Sequence, residues 1–354
     1  MKKNIKKKYR PLKIAQIAPL WFPVPPEKYG GTERIVSSLT EGLQKRGHNV
    51  TLFAPGDSKT KARLVSVSKK GLSERKIPWQ DWWWNNFNYS RAFEKAGQFD
   101  LIHSHWTPMG MFFERLTKTP VLHTFHNLPK KEDQRWQVME NYKKDSKVVF
   151  ISKSQEKNSP LAFKNSYMVY NGIETGRFKF NQKPENHFVW IGRISKEKGI
   201  ENAIALAEKA KITLLLAGQL QPMNKEYFLA KVKPRLSARI KYLGELSQKQ
   251  LSSFYGRALA FLYPLEWQEP FGLCVAESLA CGTPVITLDR GSMKELVSDG
   301  KTGFVLKNMN QMAQAIKKIG MIKRENCRKQ VEEKFDSEIM VENYEKIYQQ
   351  ICGN

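Results

Sequence analysis

From residue 13 onward a short apolar run, a polar loop and an amphipathic run follow one another, and that order recurs almost to the end of the chain. KIAQIAPL (13–20) has the composition of a buried strand, and the proline-broken loop WFPVPPEKYGGTE (21–33) follows it. RIVSSLTEGLQKRG (34–47) sets Ile35, Leu39 and Leu43 at helical spacing and stops at Gly47, and HNVTLFAPG (48–56) is the next strand. A strand–helix–strand opening calls for a parallel sheet with helices on both faces. The pattern continues in FDLIHSHW (99–106), PVLHTFHN (120–127), SKVVFISKS (146–154) and SYMVYNGIE (166–174). Ligands of open parallel sheets gather at the carboxyl ends of strands. That makes His105, His126, Ser152 and Asn171 candidate site groups.

The stretch TGRFKFNQKPENH (175–187) is polar and aperiodic and is expected to link two domains. A second series then begins, with strands in HFVWIGRIS (187–195), ITLLLAGQ (212–219), ARIKYLGELS (238–247), AFLYPL (260–265) and PVITLD (284–289). Helices are expected over IENAIALAEKAK (200–211), QLSSFYGRA (250–258) and EIMVENYEKIYQQI (338–351). The predicted organisation is a basic tail at 1–10, one β/α domain over 11–174, a linker over 175–187 and a second β/α domain over 188–337. Ligand-facing strand ends in both domains imply a cleft between them.

Composition narrows the function. The 354 residues carry a formal net charge of +25, a field that attracts nucleic acid, anionic head groups or phosphorylated substrates without choosing among them. No apolar run is long enough to span a bilayer. The basic start MKKNIKKKYRPL lacks the apolar segment of a secretory signal and reads as a solvated tail. Cys274, Cys281, Cys327 and Cys352 match no zinc spacing and are expected to be reduced thiols of a cytoplasmic protein. With no repeated Asp/Glu/His spacing and no DxD triplet, neither a metal nor another cofactor is expected.

One stretch is unlike a packing helix. EWQEPFGLCVAESLACGTPV (266–285) places Glu269 and Glu277 on either side of a turn containing Pro270 and Gly272. This stretch resembles the E-x7-E signature of retaining glycosyltransferases of family 4, which have the GT-B fold. Three further stretches match that family in its order: Gly30-Gly31-Thr32-Glu33, Val169-Tyr170-Asn171-Gly172-Ile173-Glu174, and Gly192-Arg193-Ile194-Ser195-Lys196-Glu197-Lys198-Gly199. Together they span residues 30 to 284. The resemblance implies two Rossmann-like domains, with the C-terminal helix (338–354) packing back on the first. It also implies transfer of a hexose-type sugar from a nucleoside diphosphate sugar, UDP-linked by preference, to a hydroxyl acceptor. That acceptor would be a glycan, a lipid or a small molecule.

The residue types suit that chemistry. Without a metal, a diphosphate needs cations and backbone N–H groups. Arg193 offers a planar fork and Lys198 a point charge; the alternative is a pair of solvated surface cations. Gly272 and Leu273, where the turn becomes a helix, would present N–H groups to the β-phosphate, and Gly31 would let its backbone approach the donor. Phe271 belongs to the same donor-binding group. Glu277, among apolar neighbours, needs a hydrogen-bonding partner, and the resemblance makes that partner the ribose; otherwise it is an exposed helix glutamate. The resemblance places Glu269 at the donor sugar, contacting its hydroxyls or supporting positive charge at the anomeric carbon; otherwise it caps a helix. It also makes His126 the histidine at the sugar, ahead of His123; otherwise His126 is a structural histidine. His103 and His105 read as a buried strand histidine and a strand-end packing residue. Thr32 and Glu33 either touch a substrate or cap the helix from Arg34. The two glutamates are binding groups here, and no general base is assigned.

In KKGLSERKIPWQDWWW (69–84), the expectation is that Trp82–Trp84 pack a helix on the core while Trp79 is incidental. The other reading is an acceptor-binding element or a peripheral contact with anionic membrane. Charge alone also suggests a different class, a basic protein binding nucleic acid or anionic surfaces without transferase activity. Its Lys and Arg are spread along the chain with no nucleic-acid module in view, so no nucleic-acid partner is expected.

Overall fold

A computed structural model describes residues 9–78, 81–106, 108–127 and 131–353. The basic tail before Tyr9 and Trp79 lie outside the described residues. The chain divides into two compact units. One takes the chain as far as Pro26, Gly30–Gly172 and Ser337–Asn354; the other takes Glu27–Tyr29 and Ile173–Asp336.

The first unit is built on a seven-stranded parallel sheet. Its strands are β1 (Lys13–Ile17), β2 (Asn49–Phe53), β3 (Arg63–Val65), β4 (Leu101–Ser104), β5 (Val121–Phe125), β6 (Lys147–Phe150) and β7 (Asn165–Met168). They lie in the order β3-β2-β1-β4-β5-β6-β7. Chain order and sheet order differ at β1, which sits between β2 and β4. Ile17, Phe53, Tyr89 and Ile102 form one buried cluster; Phe125, Trp136, Val148 and Phe150 form another. The first helix, Gly31–Lys45, starts three residues before the expected start at Arg34, at a glycine read as loop. Glu33 accounts for the early start, since its carboxylate accepts its own backbone N–H in the first turn.

The C-terminal helix, Ser337–Ile351, packs on this unit. A Cβ at Gly42 would lie 2.5 Å from Val341 Cγ2, so the two helices touch closely there. Lys45 Nζ meets Glu338 Oε1 at 2.6 Å, and Glu345 takes Arg46 Nη1 at 3.0 Å and His48 Nε2 at 2.9 Å.

The second unit holds a six-stranded parallel sheet. Its strands are β8 (Phe188–Ile191), β9 (Leu214–Ala217), β10 (Ile240–Tyr242), β11 (Ala260–Tyr263), β12 (Val285–Leu288) and β13 (Gly303–Leu306). Their order is β10-β9-β8-β11-β12-β13. Residues 175–187 are part of this unit. Arg328 Nη1 donates to the carbonyls of Phe178 (2.6 Å) and Ala280 (2.9 Å), and Arg324 Nε donates to Asn181 O at 2.6 Å. Their polar composition is that of a segment whose carbonyls are taken by two arginines.

The tryptophan expectation is corrected. Trp82 is 50% and Trp83 79% exposed. Trp84 packs against the cluster of Leu20, Trp21 and Leu72, with Arg75 stacked 4.4 Å above its ring, while half-exposed Trp82 keeps an edge-on contact with Trp106 at 6.4 Å between ring centres. The helix Trp83–Phe93 turns Tyr89 and Ala92 inward, and a helix cannot bury that face and three consecutive tryptophans as well. Among the described residues no helix is long and apolar enough to cross a membrane.

Candidate functional site

Both halves of the second-unit site grow from strand ends at the middle of its sheet. β8 and β11 are neighbours, so the loops leaving them lie side by side. After β8 comes Gly192-Arg193, then a single 3-10 turn, Lys196–Lys198. Trp190 Nε1 donates to Lys198 O at 3.1 Å, and Glu266 N donates to Glu197 O at 2.9 Å. These two bonds pin the loop to its own strand and to the loop leaving β11. After β11 the chain makes the 264–272 turn and enters the helix Leu273–Ala280 with Gly272 as N-cap, at φ 94°. A side chain there would be strained, and its Cβ would also sit 3.0 Å from Met293 Cε. The first intrahelical bonds run from Val275 N and Ala276 N to Gly272 O, so the N–H groups of Gly272, Leu273 and Cys274 precede them.

The candidates of this unit converge. Lys198 Nζ donates to Glu269 Oε2 at 2.7 Å and lies 4.2 Å from the centre of the Trp267 ring. The same carboxylate oxygen accepts from Tyr263 OH at 2.6 Å and Trp267 Nε1 at 3.1 Å. Neither Lys198 nor Glu269 is a solvated surface charge: their side chains are 15% and 9% exposed. Arg193 pairs with Glu197 and interacts electrostatically with Tyr29 and Glu269. Glu277 is buried in its helix, and Tyr255 OH donates to its Oε2 at 3.2 Å. It is therefore not an exposed helix glutamate. Cys274 stands among all of these. Burial pushes its thiol up to about 12, with Glu269 and Glu277 adding to the rise and Lys198 opposing it. Burial, Cys274 and Glu269 likewise hold the Tyr263 hydroxyl well above its ordinary value. Phe271 is buried edge-on to Phe335, at 5.8 Å between ring centres, and its carbonyl accepts from Ser292 Oγ at 2.5 Å.

The remaining candidates belong to the first unit. Gly31 opens the first helix, and Thr32 is half-buried beside it. Glu33 is buried, which raises its carboxyl to about 7. His126 follows β5, is half-buried, and is held near 3 by burial, so its ring is neutral. His105 Nδ1 lies 2.9 Å from His126 Nε2. His123 points to the other face of β5, where its Nε2 meets Glu114 Oε2 at 2.7 Å.

Several residues of the second-unit cluster escape the motif reading. Tyr255, Tyr263 and Cys274 look like core residues in sequence, and Trp267 like a loop aromatic. Gly291 is the least legible. At φ 58° it packs so closely on Glu269 that a Cβ would overlap the Glu269 backbone. Gly291 N also donates to Gln268 Oε1 at 2.6 Å, and Ser292 N to Glu269 O at 3.0 Å. An isolated glycine after a strand was the only available signal. Among the described residues no three His, Cys, Asp or Glu side chains converge as metal ligands would.

Comparison with known proteins gives the class. Residues 29–177 match the Glycosyltransferase Family 4 model, and residues 173–335 match the model of glycosyl transferases group 1. The chain belongs to the family 4 glycosyltransferases and has the GT-B type of architecture, two Rossmann-like parallel-sheet domains. A capsular polysaccharide biosynthesis glycosyltransferase from Staphylococcus aureus is 27% identical over 60% of this chain and 57% of its own length. A sucrose-phosphate synthase from Thermosynechococcus elongatus has the same fold, with a TM-score of 0.80 at 23% identity over 97% of this chain and 100% of that one. The Anabaena protein HepE, solved with UDP and glucose, gives a TM-score of 0.74 at 17% identity over 97% and 100%. An enzyme of this class is not a basic binding protein without transferase activity, so that alternative falls.

Proposed function

We propose that the chain moves a hexose-type sugar from a nucleoside diphosphate sugar to a hydroxyl acceptor, with retained anomeric configuration and without a divalent metal. The observation that carries this reading is the Lys198–Glu269 pair, enclosed by Tyr263 and Trp267 beside Arg193 at the head of the Leu273–Ala280 helix. A diphosphate would take its positive partners from Arg193 and Lys198 and its N–H donors from Gly272 and Leu273. Glu277, already satisfied in part by Tyr255, would accept the ribose hydroxyls. Glu269 would lie at the sugar, where a fixed carboxylate supports an anomeric carbon as it turns positive. The leaving phosphate oxygen then accepts the acceptor's proton on the same face, so no protein base is needed. His126 would contact the sugar, and Gly31 the donor through its backbone.

UDP is the favoured nucleotide by family resemblance, and the Anabaena protein solved with UDP and glucose supports it. The capsular relative supports a place in polysaccharide, glycolipid or cell-envelope synthesis. The exposed Trp82 and Trp83 support peripheral contact with anionic membrane at the cytoplasmic face. A thermal-shift screen with UDP, GDP and ADP in the presence of EDTA tests the donor site. UDP is expected to raise the melting temperature most. Stabilisation by none of the three would defeat the reading, and stabilisation that requires added Mg²⁺ or Mn²⁺ would defeat its metal independence.

A further inference from the structure

Strand order brings five polar side chains to one face of the first sheet. β1, β4 and β5 are adjacent, and Gln16 is in register with His103. Alternate residues share a face, so His103 and His105 go with Gln16, and Thr124 and His126 lie on the same side of β5. The C-terminal helix covers that face with Tyr344 and Tyr348, both buried.

The side chains form one unbroken series. His126 Nε2 lies 2.9 Å from His105 Nδ1, and His105 Nε2 lies 2.6 Å from Gln16 Oε1. Gln16 Nε2 donates to Tyr348 OH at 3.0 Å. Tyr348 OH lies 2.6 Å from His103 Nδ1, His103 Nε2 lies 2.8 Å from Thr124 Oγ1, and Thr124 Oγ1 lies 2.9 Å from Tyr344 OH. Burial keeps all three imidazoles neutral, so each carries one N–H and one lone pair.

In this series the Gln16 amide decides the tautomers of His105 and His126. The Gln16 oxygen faces His105, so His105 must carry its proton on Nε2 and leave Nδ1 as an acceptor. His126 must then donate through Nε2. Its own Nδ1 is left with the lone pair. At the other end the Gln16 N–H donates to Tyr348 OH, which also bonds His103 Nδ1, and His103 Nε2 bonds Thr124 Oγ1.

We propose that Gln16 and His105 are positioning residues which, anchored by Tyr348 of the C-terminal helix, hold His126 as the Nε2–H tautomer. His126 thereby presents Nδ1 as a hydrogen-bond acceptor for a sugar hydroxyl. The tautomer stands on the network alone; its use on a hydroxyl rests on the proposed sugar contact of His126.

The test is two-dimensional 15N–1H NMR of the 15N-histidine-labelled protein, with the His126 signals assigned by their loss in H126N. In the wild type, His126 Nε2 is expected to show a pyrrole-type and Nδ1 a pyridine-type shift. Gln16→Met removes the deciding amide, and Tyr348→Phe removes its anchor while keeping the ring. Each should convert the single His126 tautomer into a mixture and lower kcat by about tenfold, as for other partners that orient a working histidine. An Nδ1–H tautomer in the wild type would overturn the proposal. So would an unchanged tautomer in whichever of the two variants folds. Full transfer activity in H126A would instead remove the sugar contact while leaving the tautomer assignment standing.

Discussion

Lys198 reaches across from the loop after β8 to Glu269 in the loop after β11, Nζ to Oε2 at 2.7 Å, under the ring of Trp267. A loop cation and a turn carboxylate seventy-one positions apart are thus one unit. Lys198 is fixed in place by that carboxylate, and one oxygen of the buried Glu269 gathers three donors, from Lys198, Tyr263 and Trp267.

Removing one partner of that pair should cost more than removing both. Lys198→Met leaves the Glu269 carboxylate buried with only the donors of Tyr263 and Trp267, and should destabilise the chain by about 3 kcal/mol. The double variant Lys198→Met/Glu269→Gln should recover part of the loss. Urea unfolding of wild type, both single variants and the double variant closes the cycle; strictly additive effects would show that the contact carries no energy.

Arg193→Ala should spare the fold and lose nucleotide. The guanidinium bonds Glu197 on its own loop, and its interactions with Tyr29 and Glu269 are electrostatic. A charge-assisted pair of contacts to phosphate is worth about 1.5–3 kcal/mol, so UDP affinity should fall roughly ten- to a hundredfold at an unchanged melting temperature. Calorimetric titration reads this directly, and undiminished affinity would mean that another cation holds the diphosphate.

Gly291→Ala should act on Glu269 without touching its side chain. The new methyl would displace the Glu269 backbone from its seat, so both stability, by about 3 kcal/mol, and UDP binding should suffer. Gly320→Ala is the control, since nothing lies within 4 Å of its added Cβ, and it should change stability by less than about 0.5 kcal/mol.

Glu33 imposes a pH dependence of unusual sign. Its folded-state value is about 7 against an ordinary 4.5, so between these values the native chain holds a proton that the unfolded chain has lost. Stability should therefore fall as pH rises from about 4.5 to about 7, by up to about 3 kcal/mol from this group. Glu33→Gln should remove that slope. Chemical unfolding at pH 5 and 7.5 measures it, and parallel curves for the two proteins would contradict the burial argument.

The parts of this structure legible in sequence are those whose signal is local. Apolar runs marked eleven of the strands, and the motifs marked Arg193, Lys198, Glu269 and Glu277. The exceptions are physical. RLV of β3 and GFVL of β13 are too short to show a period. The helix Arg324–Lys334, RENCRKQVEEK, carries no continuous apolar stripe because Arg324 and Arg328 face inward to cap carbonyls. Tyr263, Tyr255 and Gly291 join the site only because β8, β11 and β12 are neighbours. HSH and TFH advertise alternation, yet their meeting with Gln16 depends on β1 lying beside β4, which no window of sequence contains.

The C-terminal helix gives the first unit an unusual order of completion. Glu345, Tyr344 and Tyr348 serve residues made near the start of the chain, yet they leave the ribosome after every residue of the second unit. During synthesis the N-terminal sheet must wait, with Gln16 and His103 lacking their tyrosine, while its neighbour is made in full. The half of the enzyme begun first is therefore the half finished last, and a chain stopped short at residue 336 would carry an intact second unit beside an unfinished first one.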